Sequence, residues 1–188
     1  MVTNTHPGLK LIDSKDSALV IIDVQDKLLP FIFNKDKMVE NIVILIKTAK
    51  ILGLPVVVTE QEKLGETVQK IKNELPVNYK QIIRKITYSC FSSLGFVERL
   101  RAVNKQNLIL TGMETHICIM QTALHGLSDF NVYVISDAVS SRFVNNWTVA
   151  LDRMRDCGVV ISTTEMVIFE LLRQSGTDEF RAILSLVK

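Results

Sequence analysis

The chain has 188 residues, of which 47% are hydrophobic, so it is long enough to form one domain with a substantial core. Its 22 basic and 20 acidic residues are spread along the sequence and give a net charge of +2, which predicts no nucleic-acid or membrane partner. The three cysteines are widely separated and form no Cys-x-x-Cys pair, so neither a disulfide framework nor a zinc site is indicated.

The overall patterning predicts a single cytoplasmic domain that forms oligomers. The N-terminal segment lacks the basic region and apolar run of a signal peptide, and no apolar stretch is long enough to span a membrane. No repeat, linker or low-complexity tract divides residues 1–188, so we expect one domain. The high hydrophobic fraction favours apolar surface buried between subunits, which predicts a homo-oligomer.

Apolar, β-branched runs alternate with helical patterns along the whole chain. The first run, residues 18–24, is interrupted only by Asp23 and is typical of a strand buried on both faces. The predicted strands are at 18–24, 55–60, 81–84, 107–111, 131–137 and 159–162. Predicted helices at 37–52, 95–104 and 144–157 lie between them, with a further helix capped by Thr115 after a turn at Gly112 and two short helices within 164–187. Residues 62–78 are predicted as a polar loop with a short helix from about 66 to 74.

This alternation predicts an α/β fold of three layers, α/β/α, with a doubly wound, Rossmann-like sheet of six parallel strands. In such sheets ligands bind outside the carboxyl ends of the strands, near the point where the strand order reverses. The polar residues that end or follow four different predicted strands are Asp23, Gln61, Lys85 and Cys118. We therefore expect these side chains to converge on one edge of the sheet.

Two interpretations of Cys118 are compatible with its local sequence. With Thr115 as the N-cap, Cys118 lies in the first turn of a helix, where the positive end of the helix dipole lowers a thiol pKa toward the thiolate form. A free cysteine is also commonly a buried structural residue. The stretch by itself does not choose between a nucleophile and a packed thiol.

A thiol, a lysine and a carboxylate at one site have the parts for covalent catalysis. Lys85 would lower the thiol pKa by its charge, and Asp23 would accept the thiol proton and return it to a leaving amine. Cys118 would attack a carbonyl and form a thioester, which water would then hydrolyse. Backbone N–H groups in the turn before the helix, including that of Cys118, would face the tetrahedral oxyanion.

Three motifs in this order resemble the isochorismatase-like cysteine hydrolase superfamily. They are Asp23-Val-Gln25 after the first strand, Lys85 with Tyr88-Ser89-x-Phe91, and Gly112-x-x-Thr115-x-x-Cys118-x-x-x-Thr122-Ala123. The resemblance implies a six-stranded parallel sheet, a catalytic triad of Asp23, Lys85 and Cys118, and an oligomer. It also implies a cis peptide bond at Met113-Glu114, with the backbone N–H groups of Glu114 and Cys118 forming the oxyanion hole.

The sequence departs from two branches of that superfamily. Nicotinamidase-like members carry aspartate and histidine ligands for a metal after the second strand, whereas residues 59–62 read Thr-Glu-Gln-Glu without a nearby histidine. Isochorismatases proper replace the cysteine that Cys118 retains here. The resemblance therefore implies an amidase-type hydrolase without a metal or another cofactor, from a subgroup whose substrates are largely unassigned.

The substrate pocket is expected to include Gln61, Tyr88 and Phe91, because a small acyl ligand needs apolar walls with a few polar contacts. Phe91 is equally compatible with a core position, and His116 with capping or packing. A catalytically silent oligomeric scaffold or small-molecule binder that has retained the triad is the alternative function. A dinucleotide-binding oxidoreductase is disfavoured, because no Gly-x-Gly-x-x-Gly follows the first strand.

Overall fold

The computed structural model describes residues 11–76, 79 and 81–187, and within them strands and helices alternate. The elements are β1 (Ser17–Ile22), α1 (Lys35–Leu52), β2 (Val56–Gln61), α2 (Gln69–Lys72), β3 (Ile82–Lys85), α3 (Leu94–Val103), β4 (Asn107–Met113), α4 (Met120–Gly126), β5 (Asn131–Ser140), α5 (Val144–Asp156), β6 (Val160–Ser162), α6 (Thr164–Leu172) and α7 (Asp178–Val187). Short 3₁₀ turns lie at Ser14–Asp16, Leu29–Phe31 and Cys90–Ser92, and a π-helical turn spans Thr115–Ile119.

The strands form one sheet in the order β3-β2-β1-β4-β5-β6, and all neighbouring pairs are parallel. The chain first winds outward from β1 to β3 and then crosses back to β4, so the strand order reverses between β1 and β4. Ile22 at the end of β1 pairs with Gly112 near the end of β4. The predicted six-stranded, doubly wound α/β fold is confirmed.

Two apolar clusters, one on each face of the sheet, hold the layers together. All six residues of β1 are buried, because alternate side chains pack into opposite clusters. On one face the sheet packs against α1, α6 and α7, and on the other against α3, α4 and α5. Among the described residues, no helix combines the length and the apolar character needed to cross a membrane.

The segment after β4 differs from its prediction. The chain does not turn at Gly112, because β4 continues to Met113. Gly112 has a φ of +113°, and a Cβ there would lie 2.1 Å from the carbonyl oxygen of Ile22, so glycine allows β1 and β4 to approach closely. Thr115 is not the N-cap either. It is the first residue of the π-helical turn, and Glu114 occupies the N-cap position.

Other boundaries differ by a few residues. β5 extends to Ser140, three residues past its predicted end, because buried residues Ala138 and Val139 prolong its apolar pattern. The short helix predicted from about 66 to 74 is limited to α2. Residues 77 and 78 of the predicted loop lie outside the described residues.

Candidate active site

The residues that end or follow the central strands come together at the carboxyl edge of the sheet. Asp23 directly follows β1, Gln61 ends β2, Lys85 ends β3, and Cys118 lies in the π-helical turn after β4. A pocket of about 360 Å³ opens at this edge. It is lined by Asp23, Leu28, Gln61, Glu62, Leu64, Tyr88, Met113, Glu114, Ile117, Cys118 and Arg142.

Asp23 presents a buried carboxylate to the base of this pocket. Its backbone has a φ of +56°, a left-handed conformation that aspartate tolerates better than most residues. The side chain is 1% exposed, with Oδ1 accepting a hydrogen bond from Thr59 Oγ1 at 2.7 Å and Oδ2 one from Lys85 Nζ at 2.6 Å. Both oxygens therefore have a donor, as a buried carboxylate requires.

Lys85 connects the carboxylate to the thiol. In addition to Asp23, its Nζ atom lies 2.8 Å from Gln61 Oε1, 3.2 Å from the carbonyl oxygen of Thr87 and 3.7 Å from Cys118 Sγ. The Lys85 side chain is fully buried behind the pocket. These contacts place one cation beside both groups that would exchange a proton in the predicted chemistry.

The charges at the site stabilise a protonated lysine. Burial alone would lower the pKa of Lys85, but the opposing effects, of which the Asp23 carboxylate is the largest, raise it above its ordinary value. Lys85 is therefore charged at neutral pH and neutralises the buried Asp23 carboxylate.

The protonation state of Cys118 differs from its prediction. Burial raises the pKa of the Cys118 thiol, and the Asp23 carboxylate raises it further, whereas Lys85 offsets only part of this rise. The prediction that its position favours the thiolate is wrong, because desolvation and the adjacent carboxylate outweigh the lysine. At rest Cys118 is therefore a neutral thiol, with its Sγ 3.7 Å from Lys85 Nζ.

The three residues predicted to line the pocket do not all do so. Gln61 reaches it while donating from Nε2 to the carbonyl oxygen of Ile86 at 2.9 Å, and Tyr88 stands at the rim. Phe91 does not line the pocket. Its ring packs against three other aromatic rings under α3 and α4, those of Phe96, His125 and Phe130, at centroid distances of 5.3, 5.2 and 5.6 Å.

Arg142 is a pocket residue that the sequence interpretation missed. It follows β5, and it binds the nearly buried Glu114 carboxylate through its backbone N–H at 2.9 Å and its Nε at 3.1 Å. Glu114 follows Met113 across a peptide bond that is cis in the structure. Arg142 lies just after the carboxyl end of β5, where site residues are expected. A correct prediction of the end of β5 would therefore have identified Arg142 as a candidate.

His116 lies next to the site but is engaged elsewhere. Its Nδ1 is 3.0 Å from Ser141 Oγ, and its Nε2 is 3.3 Å from Asn146 Nδ2. Both ring nitrogens thus contact polar groups that do not line the pocket. This arrangement favours the packing interpretation of His116.

Glu60 lies in the segment where nicotinamidase-like proteins are expected to hold a metal. Its Oε1 accepts hydrogen bonds from the Thr67 backbone N–H at 2.7 Å and from Thr67 Oγ1 at 2.9 Å, and its Oε2 is 3.6 Å from Arg84 Nε. The carboxylate therefore anchors the loop after β2. In the part of the chain that the structure describes, no group of three or more His, Cys, Asp or Glu side chains could hold a metal ion.

Comparison with known proteins identifies the family. The isochorismatase domain model matches residues 17–166. Isochorismatase domain-containing protein 2 from Danio rerio is 34% identical, over 96% of this chain and 91% of its own length.

Solved structures agree with this match. The structure of MAR1 ribonuclease from Caenorhabditis elegans is 32% identical, with a TM-score of 0.88 over 95% of this chain and 92% of that one. The YcaC gene product of Escherichia coli, described as an octameric hydrolase of unknown specificity, is 27% identical, with a TM-score of 0.86 over 93% of this chain and 88% of that one. The chain therefore belongs to the isochorismatase family of hydrolases.

Proposed function

We propose that this protein is a cysteine hydrolase that cleaves a small amide-like C–N bond through a covalent thioester. The observation that carries the proposal is the position of Lys85 Nζ, 2.6 Å from Asp23 Oδ2 and 3.7 Å from Cys118 Sγ, the two residues of the triad that line the pocket. The pocket walls include apolar side chains, namely Leu28, Leu64, Met113 and Ile117, which suit a small acyl group.

In the first half of the reaction, Cys118 Sγ attacks the carbonyl carbon while its proton moves to the Asp23 carboxylate. A neutral resting thiol fits this step, because the neighbouring Asp23 carboxylate that raises its pKa can accept its proton. The backbone N–H groups of Glu114 and Cys118 stabilise the tetrahedral oxyanion. When the C–N bond breaks, Asp23 gives the proton to the leaving nitrogen, and the acyl group stays on Cys118 as a thioester.

In the second half, water replaces the amine. Asp23 takes a proton from the water as its oxygen attacks the thioester carbon, and the same oxyanion hole holds the second tetrahedral intermediate. Collapse of that intermediate breaks the C–S bond, releases the carboxylic acid and returns the proton to the Cys118 sulfur. Lys85, which donates to Asp23 Oδ2, holds the Asp23 carboxyl group in place while it accepts and returns each proton. The cycle uses no metal and no other cofactor.

The remaining parts of the proposal concern the whole protein. We place it in the cytoplasm as a homo-oligomer of a single domain, residues 1–188, and the octameric Escherichia coli structure supports the oligomer. Light scattering after gel filtration would measure the subunit number. A monomer at micromolar concentration would contradict the oligomer without affecting the chemistry.

A substrate screen combined with mass spectrometry tests the reaction. The wild-type protein is incubated with small amides and carbamates, ammonia release is measured, and intact mass is recorded after rapid acid quenching. We expect turnover and an acyl adduct on Cys118, and we expect C118A and C118S to show neither while remaining folded. The matched control is C157A, because Cys157 is exposed and does not line the pocket.

The same screen examines two alternatives. A silent scaffold or binder that retains the triad would give no turnover and no adduct with any compound. RNA is included as a substrate because the Caenorhabditis elegans structure is described as a ribonuclease. We expect no RNA cleavage here, since a net charge of +2 provides little attraction for a polyanion.

A further inference from the structure

Thr59 does not line the pocket, and it contacts Asp23 from the strand next to β1. In the sheet, Thr59 of β2 pairs with Ile22, the residue that precedes Asp23. The carbonyl oxygen of Thr59 accepts from the Asp23 backbone N–H at 3.2 Å, and its hydroxyl donates to Asp23 Oδ1 at 2.7 Å. Thr59 is completely buried. One residue therefore fixes both the backbone and the carboxylate of Asp23.

The hydroxyl of Thr59 has a donor of its own. Cys90 Sγ lies 4.0 Å from Thr59 Oγ1, and the thiol is fully buried. Burial, with the Asp23 carboxylate, raises the pKa of Cys90 to about 11, so its sulfur keeps its proton at neutral pH. The Thr59 hydroxyl accepts weakly from Cys90, and its single proton is directed to Asp23.

The two oxygens of the Asp23 carboxylate have different hydrogen-bond partners. Oδ1 is bound by Thr59 and Oδ2 by Lys85, so rotation of the carboxylate would break a hydrogen bond at each end. We propose that Thr59 is a positioning residue for the hydrolase, holding the Asp23 carboxylate in the orientation in which it exchanges a proton with Cys118. The proposal rests on the function proposed above.

The neighbours of Asp23 determine which readouts are informative. Within the described residues, the titratable groups coupled to Asp23 are Lys85 at the end of β3, Cys118 in the π-helical turn and Cys90 in the 3₁₀ turn. Other titratable groups line the same pocket, namely Glu62, Tyr88, Glu114 and Arg142. Thr59 itself does not titrate in the accessible range. A change of the pH profile on removing its hydroxyl would therefore reflect the environment of this cluster rather than loss of an ionisable group.

The test compares T59V and T59A, which remove the donor, with T59S, which keeps it. With an amide that the wild type hydrolyses, we expect T59V and T59A to lower kcat by about 10- to 100-fold with KM changed less than about twofold. Loss of a donor disfavours the charged carboxylate. The acid limb of the plot of kcat against pH should therefore move to higher pH. T59S, which keeps the hydroxyl, should retain the kcat and the acid limb of the wild type.

A second readout does not depend on turnover. With ¹³C-labelled aspartate, the Asp23 carboxyl resonance is assigned by its loss in D23N, and its shift is compared at pH 7. We expect it to move in T59V and T59A but not in T59S. The control C90A should leave it nearly unchanged, because a thiol 4.0 Å from Thr59 Oγ1 is a weak donor.

The two proposals fail in different ways. If T59V keeps the wild-type resonance, or keeps the wild-type kcat and acid limb, Thr59 does not position the carboxylate. If the wild type hydrolyses no amide while the resonance moves as expected, the proposed reaction is wrong and the Thr59 contact stands.

Discussion

The ammonium group of Lys85 and the carboxylate of Asp23 are 2.6 Å apart, with side-chain exposures of 0% and 1%. A buried pair of this kind contributes little net stability, but the loss of either member leaves the other charge buried without a partner. The proposed catalysis and the stability of the fold therefore depend on the same two residues.

Replacing Lys85 with Met should destabilise the protein as well as inactivate it. The Asp23 carboxylate would be left buried with Thr59 as its neutral donor, so we expect the free energy of unfolding to fall by about 3–5 kcal/mol. Urea denaturation of purified K85M measures this change. The control K47M removes an exposed lysine 3.5 Å from Glu74 and should cost at most about 1 kcal/mol. An equal loss in both variants would contradict the argument.

The D23N variant should make Cys118 more reactive toward iodoacetamide at pH 7. The Asp23 carboxylate raises the pKa of the Cys118 thiol, whereas Lys85 lowers it. Removing the carboxylate should therefore lower the thiol pKa. We expect labelling of Cys118 to be at least about tenfold faster than in the wild type, since one pKa unit changes the thiolate fraction tenfold. Peptide mass spectrometry follows each cysteine separately, with exposed Cys157 as the internal reference. Slower labelling of Cys118 in D23N would show that the carboxylate promotes the thiolate instead.

Stability should decrease at alkaline pH because of Cys90. The folded state raises its pKa from 9.0 to about 11, so between these values the unfolded chain releases a proton that the folded protein keeps. The contribution of Cys90 to the free energy of unfolding is therefore complete below pH 9. It falls by about 2–3 kcal/mol in total as the pH rises to 11.

Urea denaturation of C90A at pH 8 and pH 11 measures the contribution of Cys90. The variant starts less stable because it leaves a cavity, but its loss of stability between the two pH values should be smaller than that of the wild type. C157A, which changes an exposed thiol, should retain the wild-type dependence. A C90A curve parallel to that of the wild type would contradict the assignment.

Replacing Arg142 with Met should weaken both catalysis and stability. The Nε contact to Glu114 is lost, but the Arg142 backbone N–H still binds the carboxylate, so we expect a cost of about 1–2 kcal/mol in unfolding. The turn that carries the proposed oxyanion donor loses a support, which should lower kcat/KM by about tenfold. R155M, which removes an exposed pair with Asp152, is the matched control. Wild-type kcat/KM in R142M would exclude a role for this contact in catalysis.

The sequence by itself determined the sheet and the edge at which the polar residues meet. Continuous β-branched runs between amphipathic helices form a parallel sheet, because such strands need cover on both faces. Asp23 and Lys85 could be identified as candidate site residues, because each ends or follows one of these runs. The isochorismatase-like resemblance depended on the same local motifs, and the family comparisons confirm it.

Only the tertiary structure decided what each side chain contacts. Phe91 packs into an aromatic cluster away from the pocket, and Arg142 reaches Glu114 from another strand end. The protonation state of Cys118 was predicted with the wrong sign, because it depends on burial and on a carboxylate 95 positions earlier in the chain. Local patterns report which element a residue belongs to. Distances between residues far apart in sequence, and the desolvation that accompanies them, arise only when the layers pack.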